Sequence, residues 1–340
     1  MRNPFKIQYG ILACILLLAA CKKDTPDIPK GDDRDIRVLK VQYLGHDYSE
    51  NFVFDPPSPM YTKECTYNYD SEGRLSHIEN DDILRVQVEY GHGQITVTNE
   101  VEQDSQKAFY WENSIISYRN NKIENILIAT PYWEFPSFPS GPSIDNVSIS
   151  RASDGRLNSV MLERSPNAPV PSTILFFELA TDILSYNDNG LPNKLETPLF
   201  YWSDPDYYTA DFTFQYNEAE DVPMKLKRLV NEELLFSNRY GITNFDLLYI
   251  DSTRNFSQLG EGNWLISFGL PQYYILEEKS TYLVSKRTTT FYKGGVNEGL
   301  DPDGSKEFFK TKVEDFPYIH DAKAKTLEIA GLKIWYEFVE

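Results

Sequence analysis

The stretch YNYDSEGRLSHI, residues 67–78, constrains the fold more than any other feature because it recurs. Aligned on its glycine, it returns as SISRASDGRLNSV, residues 148–160, and as ILSYNDNGLPNKL, residues 183–195. Gly73, Gly155 and Gly190 take one position, preceded by Ser71 and Glu72, Ser153 and Asp154, Asp188 and Asn189. A type I turn followed by a left-handed residue asks for this chemistry, since glycine alone reaches positive φ without a Cβ penalty. Each copy is therefore predicted to be a hairpin turn pivoting on its glycine.

A three-residue loop with glycine in the bulge position places Tyr69 opposite Leu75 and Tyr186 opposite Pro192, so each pair shares a sheet face. Weaker copies follow. FTFQYNEAEDVPMKL, residues 212–226, keeps Tyr216 and repeats the Pro, x, Lys, Leu ending as Pro223, Lys225 and Leu226. ISYRNNKIENI turns on Asn120 and Asn121, and VEYGHGQITV on Gly91 to Gly93. That makes about six hairpins in the first two thirds of the chain, and isolated hairpins are marginal in water, so they must pair into a sheet. The helical period is best approached by VPMKLKRLVNEELLF, residues 222–236, read as one short helix. The expected fold class is all-β: an antiparallel meander of repeated hairpins forming an extended or curved sheet.

Tyr67, x, Tyr69, Asp70, x, x, Gly73, Arg74, Leu75, x, x, Ile78 resembles the tyrosine-aspartate repeats of Rhs-type surface proteins. It resembles more closely a family of uncharacterised Bacteroidota surface lipoproteins whose β domain uses the same hairpin. The match covers about residues 60–230, with Arg151 in place of the second tyrosine in one copy and no glycine near Glu220. The resemblance implies a β fold and an envelope location, and transfers no catalytic residue.

The N-terminal end points to the same place. Arg2 and Lys6 precede ILACILLLAA, an apolar run suited to a signal-peptide core and short for a membrane span. Leu18, Ala19, Ala20 and Cys21 resemble a bacterial lipobox, which implies diacylglycerylation of Cys21 and cleavage before it. Residues 1–20 are thus read as a lipoprotein signal and 21–35, beginning CKKDTPDIPKGDD, as a solvated tether. Lys22, Lys23 and Asp24 partly resemble the surface-export signal of Bacteroidota lipoproteins, which implies outer-membrane attachment with cell-surface exposure. With Cys14 and Cys21 so assigned, Cys65 alone remains, and no internal disulfide is expected.

Residues 36–235 form the expected hairpin-repeat domain, and 236–340 a C-terminal β region that either continues the sheet or forms a second sub-domain. In that region NFDLLYI, NWLISFGL, TYLVSKRTTTFY and KTLEIAGLKIWYEFV alternate like strands, and GGVNEGLDPDGSKE reads as a polar loop.

Successive connections of a meander fall at alternate ends of the sheet. The turns at Asn120, Asp154, Asn189 and Glu218 would share one end. PYWEFPSFPSGP (131–142), SPNAPVPST (165–173) and TPLFYWSDPDYY (197–208) would share the other. Tyr132, Trp133, Phe135, Phe138, Tyr201, Trp202, Tyr207 and Tyr208 would form one aromatic rim there, with Asp204 and Asp206 beside them. Long loops on a rigid sheet carry binding surfaces. Two readings stand: the aromatics cap the end of the core, or they present a ligand-binding surface. A turn at Thr181 and Asp182 would move Tyr201 and its neighbours to the opposite end.

The formal charge of −18 makes nucleic acid and anionic surfaces poor partners and leaves a glycan or an envelope protein. No metal or cofactor site is read. His46, His77, His92 and His320 lack metal-ligand spacing, Cys65 has no CxxC partner, and Asp301, Asp303 and Glu307 are not at EF-hand spacing. GxSxG and HExxH are absent. Asp251, Ser252 and Thr253 resemble a short Bacteroidota O-glycosylation motif. The expected function is that of a lipid-anchored, non-enzymatic envelope protein binding a glycan or protein through the aromatic loops. A structural or adhesion spacer is the alternative, and an envelope hydrolase whose residues converge only in space is the third.

Overall fold

A computed structural model describes residues 34–46, 59–80, 84–102, 109–130, 133–135, 138–140, 143–163, 179–199, 208–236, 269–276, 281–294 and 306–339. The strands are β1 (Ile36–His46), β2 (Pro59–Tyr69), β3 (Leu75–Asn80), β4 (Leu84–Tyr90), β5 (Gln94–Glu102), β6 (Phe109–Arg119), β7 (Lys122–Thr130), β8 (Trp133–Phe135), β9 (Phe138–Ser140), β10 (Ser143–Arg151), β11 (Leu157–Glu163), β12 (Leu179–Tyr186), β13 (Pro192–Leu199) and β14 (Tyr208–Glu218). Among the described residues, helix α1 (Met224–Phe236) precedes β15 (Tyr282–Gly294), β16 (Lys306–Asp315), β17 (Tyr318–Asp321), β18 (Thr326–Ile329) and β19 (Leu332–Phe338).

The fold is a nearly all-β antiparallel meander. Seventeen strands form one sheet, and β8 and β9 form a separate two-stranded ribbon. Neighbours follow the chain from β1 to β16, skipping the ribbon, and β1 also pairs with β19, which leads through β18 to β17.

The three glycine turns are hairpins of the expected kind. Gly73, Gly155 and Gly190 have φ of 78°, 87° and 77°. Tyr69 pairs with Leu75 and Tyr186 with Pro192. The hydrogen bonds repeat as well: Gly73 N–H donates to Asp70 O at 3.0 Å, Gly155 N–H to Ala152 O at 2.9 Å, and Gly190 N–H to Asn187 O at 3.0 Å. Asn120 and Asn121, at φ 51° and 63°, make the tighter two-residue turn that needs both centres left-handed.

The fourth expected hairpin, residues 212–226, is not one. β14 ends at Glu218 and pairs onward with β15, while the Pro, x, Lys, Leu ending opens the helix, with Lys227 N–H donating to Pro223 O at 3.0 Å. Met, Lys, Leu, Arg and Glu dominate MKLKRLVNEELLF, and no glycine or proline interrupts it, so helix propensity prevails over the short repeat-like match. NWLISFGL also departs from expectation at its end, since Gly269 and Leu270 lead into a non-strand segment, 269–276.

Seventeen flat strands would be about 80 Å wide, yet the two edge strands, β16 and β17, are joined by only Phe316 and Pro317. The sheet therefore curls round until its edges meet. An odd number of antiparallel strands gives both edges the same direction, so β17 continues beyond β16 instead of pairing with it, and the sheet is not closed. Among the described residues, three of the five exposed large apolar side chains lie on these edges: Phe308, Val313 and Ile319. The other two, Leu39 and Leu184, sit at bulges in β1 and β12.

Candidate functional site

Antiparallel pairing sorts the connections between two ends. The near end holds the start of β1, the close of β19, the turns at Gly73, Gly93, Asn120, Gly155 and Gly190, and the α1 crossover from β14 to β15. The strand termini flanking 131–142, 164–178 and 200–207 all lie at the far end, where Thr130 pairs with Ser143, Leu162 with Leu179, and Leu199 with Tyr208. Thr181 and Asp182 are inside β12, paired with Val160 and Ser159, so no turn there reverses the order.

The near end is tied down by a repeated device. The β1–β2 ladder stops at Lys40–Thr66, and Tyr69 Oη donates to the next outward-lying carbonyl of β1, Val38 O, at 2.7 Å. The β11–β12 ladder stops at Ser159–Asp182, and Tyr186 Oη donates to Leu157 O. The β13–β14 ladder stops at Lys194–Thr213, and Tyr216 Oη donates to Pro192 O. In each case the accepting carbonyl lies two residues beyond the last pair, so the tyrosine satisfies a buried acceptor that the ladder has left. Burial pushes the hydroxyls of Tyr69 and Tyr216 well above the ordinary phenol range.

The arginine after the glycine completes the coupling. Arg74 lies over Tyr90 of the next hairpin at 4.8 Å from the ring centre, and Arg156 over Tyr186 at 5.0 Å. Arg37 covers Tyr69 at 5.3 Å. One hairpin thus supplies the cation over the ring of the next and, at Leu157 and Pro192, the carbonyl for its hydroxyl. This gives the Tyr…Gly-Arg-Leu spacing a mechanical reason.

Helix α1 and segment 269–276 fill the same end. Leu226, Leu229, Val230, Leu234 and Leu235 join one core with Val38, Leu75, Ile95 and Ile334. The helix's polar side chains are also buried and bind backbone. Glu232 Oε1 accepts the N–H groups of Ile275 and Leu276, each at 2.8 Å, and Arg228 Nη2 donates to Pro271 O. Lys227 Nζ donates to Ala219 O at 2.9 Å and Thr281 O at 3.2 Å. Burial lowers the Lys227 amine to about 8 and raises the Glu232 carboxyl despite nearby Arg228. Segment 269–276 then reaches the hairpins: Ile123 N–H donates to Tyr274 O, Tyr274 N–H to Asn121 O, and Arg151 Nη2 to Ile275 O.

Polar clusters offer one arrangement with the look of a proton relay. His320 Nδ1 lies 3.0 Å from Asp221 Oδ2, and its Nε2 lies 2.8 Å from Tyr336 Oη, while Tyr318 Oη donates to Asp221 Oδ1 at 3.2 Å. The His320 side chain is 1% exposed and Tyr336 is 2% exposed, so a substrate reaches neither. The cluster fastens the edge strand β17 to the segment before α1. Among the described residues no group of three or more histidine, cysteine, aspartate or glutamate side chains is placed to hold a metal ion.

The faces of the sheet bear on membranes. Ile36, Val38 and Val41 of β1 are buried, whereas Arg37 and Lys40 face outward in ion pairs with Glu337 and Glu64. Leu332, Ile334 and Tyr336 of β19 are buried, and Lys333 pairs outside with Glu328. A transmembrane barrel has the reverse pattern, with an apolar band towards lipid and a polar interior. The described strands are built around an apolar core. No helix among the described residues is long and apolar enough to cross a membrane.

Of the residues expected at the aromatic rim, Trp133, Phe135, Phe138 and Tyr208 have described backbone positions, the first three in the β8–β9 ribbon and Tyr208 at the start of β14. Tyr132, Tyr201, Trp202, Asp204, Asp206 and Tyr207 lie outside the described residues, as does Cys21. The tyrosine couplings and the 269–276 tie were missed in sequence reasoning. The regular Tyr-to-Gly-Arg spacing is the signal that could have revealed the first; backbone acceptors left none for the second.

No protein-family model matches the chain, and no curated protein matches it. Among solved structures it is similar to a porin-like protein from Bacteroides vulgatus ATCC 8482, at 12% identity and a TM-score of 0.44, covering 90% of this chain and 99% of that one. It is also similar to a porin-like protein from Bacteroides uniformis ATCC 8492, at 13% identity and a TM-score of 0.36, covering 89% and 98% respectively. At these TM-scores the likeness carries no argument about function.

Proposed function

We propose that the chain is a lipid-anchored, surface-exposed outer-membrane protein of non-enzymatic type that binds an external glycan or protein at the far end of its sheet. The observation that carries this reading is where β1 starts. β1 begins at the near end, where Asp35 O accepts Val339 N–H at 2.9 Å and the Asp35 carboxylate pairs with Lys225 in the first turn of α1. A tether from Cys21 therefore enters at the helix-filled end. The aromatic connections arise at the opposite end, separated by strands of 11 residues, about 36 Å long. Anchoring at one end presents the other to the medium.

Epitope tags on intact cells test the arrangement. A tag placed between residues 200 and 207 should bind antibody, and one at Asp188–Asn189 should bind less. Cys21→Ser should release the protein from the membrane fraction. Retention of Cys21→Ser, or equal labelling of both tags, removes the basis for the reading. The spacer alternative draws support from the stapled hairpins, which couple neighbour to neighbour. It expects no ligand at the far end.

A further inference from the structure

We propose that the inner face of β15 and β16, at the open edge of the sheet, binds a small carboxylate, at a site separate from the far-end surface. Two cross-strand rows build it. Phe212 of β14 is opposite Thr289 of β15, which is opposite Lys312 of β16, and Phe214, Arg287 and Glu314 form the adjacent row. Phe212, Phe214, Arg287 and Thr289 are buried, so both rows lie on the core side. Among the described residues β16 pairs with β15 alone, so each row ends at the open edge. Exposure rises in that direction. Thr289 is 0% exposed and the Lys312 side chain 34%, while the side chains of Arg287 and Glu314 are 2% and 19% exposed.

The chemistry is that of an anion site with one partner missing. Arg287 Nε and Nη2 donate to Glu314 Oε2 at 3.0 and 2.7 Å, and Lys312 Nζ lies 2.9 Å from Glu314 Oε1. Two cations therefore share one carboxylate. Burial opposes the charge on Glu314, yet Arg287 and Lys312 hold its carboxyl below the ordinary range. Beside them, Thr289 Oγ1 is buried with no hydrogen-bond partner among the described residues. A buried hydroxyl left unsatisfied costs free energy, so this one favours an acceptor brought from outside. Thr289 is directly opposite Lys312, which puts their Cβ atoms about 5 Å apart. One oxygen of a bound carboxylate accepts the Thr289 hydroxyl and the other accepts from Lys312, whose ammonium carries further donors. Within the two rows a monocarboxylate balances two cations against two carboxylates, whereas a dianion overshoots.

The test uses the full chain in detergent at constant ionic strength. Acetate or hexanoate replaces chloride, phosphate is the control anion, and the readouts are calorimetric titration and thermal unfolding. The wild type should bind at least one carboxylate saturably and gain Tm in its presence. Thr289→Val keeps the side chain's shape, so its Tm in chloride should hold while carboxylate affinity falls about tenfold or more. Lys312→Met should lose as much. Lys286→Met, on the outer face where Lys286 pairs with Asp315, should bind as the wild type does. No saturable carboxylate binding by the wild type, or unchanged affinity in Thr289→Val or Lys312→Met, overturns the proposal. A lowered chloride Tm in Thr289→Val also does, because it shows the hydroxyl already bonded within the protein. An equal loss in Lys286→Met assigns the effect to surface charge and overturns the site, and tighter binding of phosphate overturns the carboxylate class. Each of these results leaves the far-end reading untouched.

Discussion

The near and far ends of the sheet differ in the connections they carry. At the near end, three tyrosine hydroxyls take carbonyls that the ladders abandon, and α1 with segment 269–276 supplies further backbone partners through Lys227, Arg228 and Glu232. At the far end, the paired strands run directly into long, proline- and aromatic-rich connections. Among the described residues, the near end is held by side chains that reach from one hairpin to the next and from α1 to segment 269–276. The contrast can be broken by showing that near-end contacts are dispensable.

The largest expected effect is at Glu232. Its buried carboxylate joins α1 to the amides of Ile275 and Leu276 and faces Arg228, so Glu232→Ala leaves two donors and a buried cation to be re-satisfied. Breaking a buried charge network costs about 3–5 kcal/mol. Denaturant unfolding should show this loss, and hydrogen exchange should show the Ile275 and Leu276 amides opening first. A change below about 1 kcal/mol, small on that scale, would mean that the near end is not held by this tie.

Two glycines separate backbone strain from local packing. A Cβ at Gly190 meets nothing within 4 Å, so Gly190→Ala should cost mainly the left-handed conformation, about 1–2 kcal/mol. A Cβ at Gly73 would lie 2.1 Å from Arg37 Nη2, so Gly73→Ala must also displace the guanidinium that covers Tyr69. Gly73→Ala should therefore unfold at lower denaturant than Gly190→Ala. The reverse order would show that Arg37 moves without cost.

What could be seen in the sequence follows the range of each interaction. The hairpins were legible because positive φ is a local demand, and Tyr69–Leu75 and Tyr186–Pro192 follow once the loop length is known. The helix was harder because residues 222–226 satisfy a short repeat-like ending and a helix start at once. The tyrosine couplings left a sign in the regular Tyr-to-Gly-Arg spacing, but not the identity of their partners, because a backbone carbonyl can belong to any residue. The continuation of β16 into β17 depends on strand number and curl, which no single window contains. Of the candidate site, aromatic composition and alternation of connections could be read, whereas exposure depends on packing remote in sequence.

Tyr69→Phe isolates one coupling. The ring and its cover by Arg37 remain while Val38 O loses its donor, so the cost should be about 1–2 kcal/mol. Tyr186→Phe should behave alike if the device is general, through Leu157 O. A loss at one site but not the other would confine the device to that hairpin.

The smallest effect is expected at Asp70, and the protein already contains the comparison. Asp70 Oδ1 accepts the N–H groups of Glu72 and Arg74, each at 2.9 Å, and Asn187 does the same for Asn189 and Leu191 in the third copy. The second copy has Ala152 at this position and keeps its turn, with Asp154 Oδ1 accepting Arg156 N–H at 3.1 Å. Asp70→Ala should therefore lower the Tm less than Tyr69→Phe does. Hydrogen bonds from the Arg74 backbone, followed by its side chain and the Glu72 amide, hold the Asp70 carboxyl below its ordinary range despite opposing desolvation. A depressed folded-state value means that this stabilisation is fully present above the unfolded carboxyl's pKa, about 3.9, and is lost as pH falls through the folded value. The Tm difference between wild type and Asp70→Ala should accordingly be constant near neutrality and vanish in acid. A difference that persists there would assign the effect to Asp70's neutral hydrogen bonds and show that the turn needs its side chain's shape more than its charge.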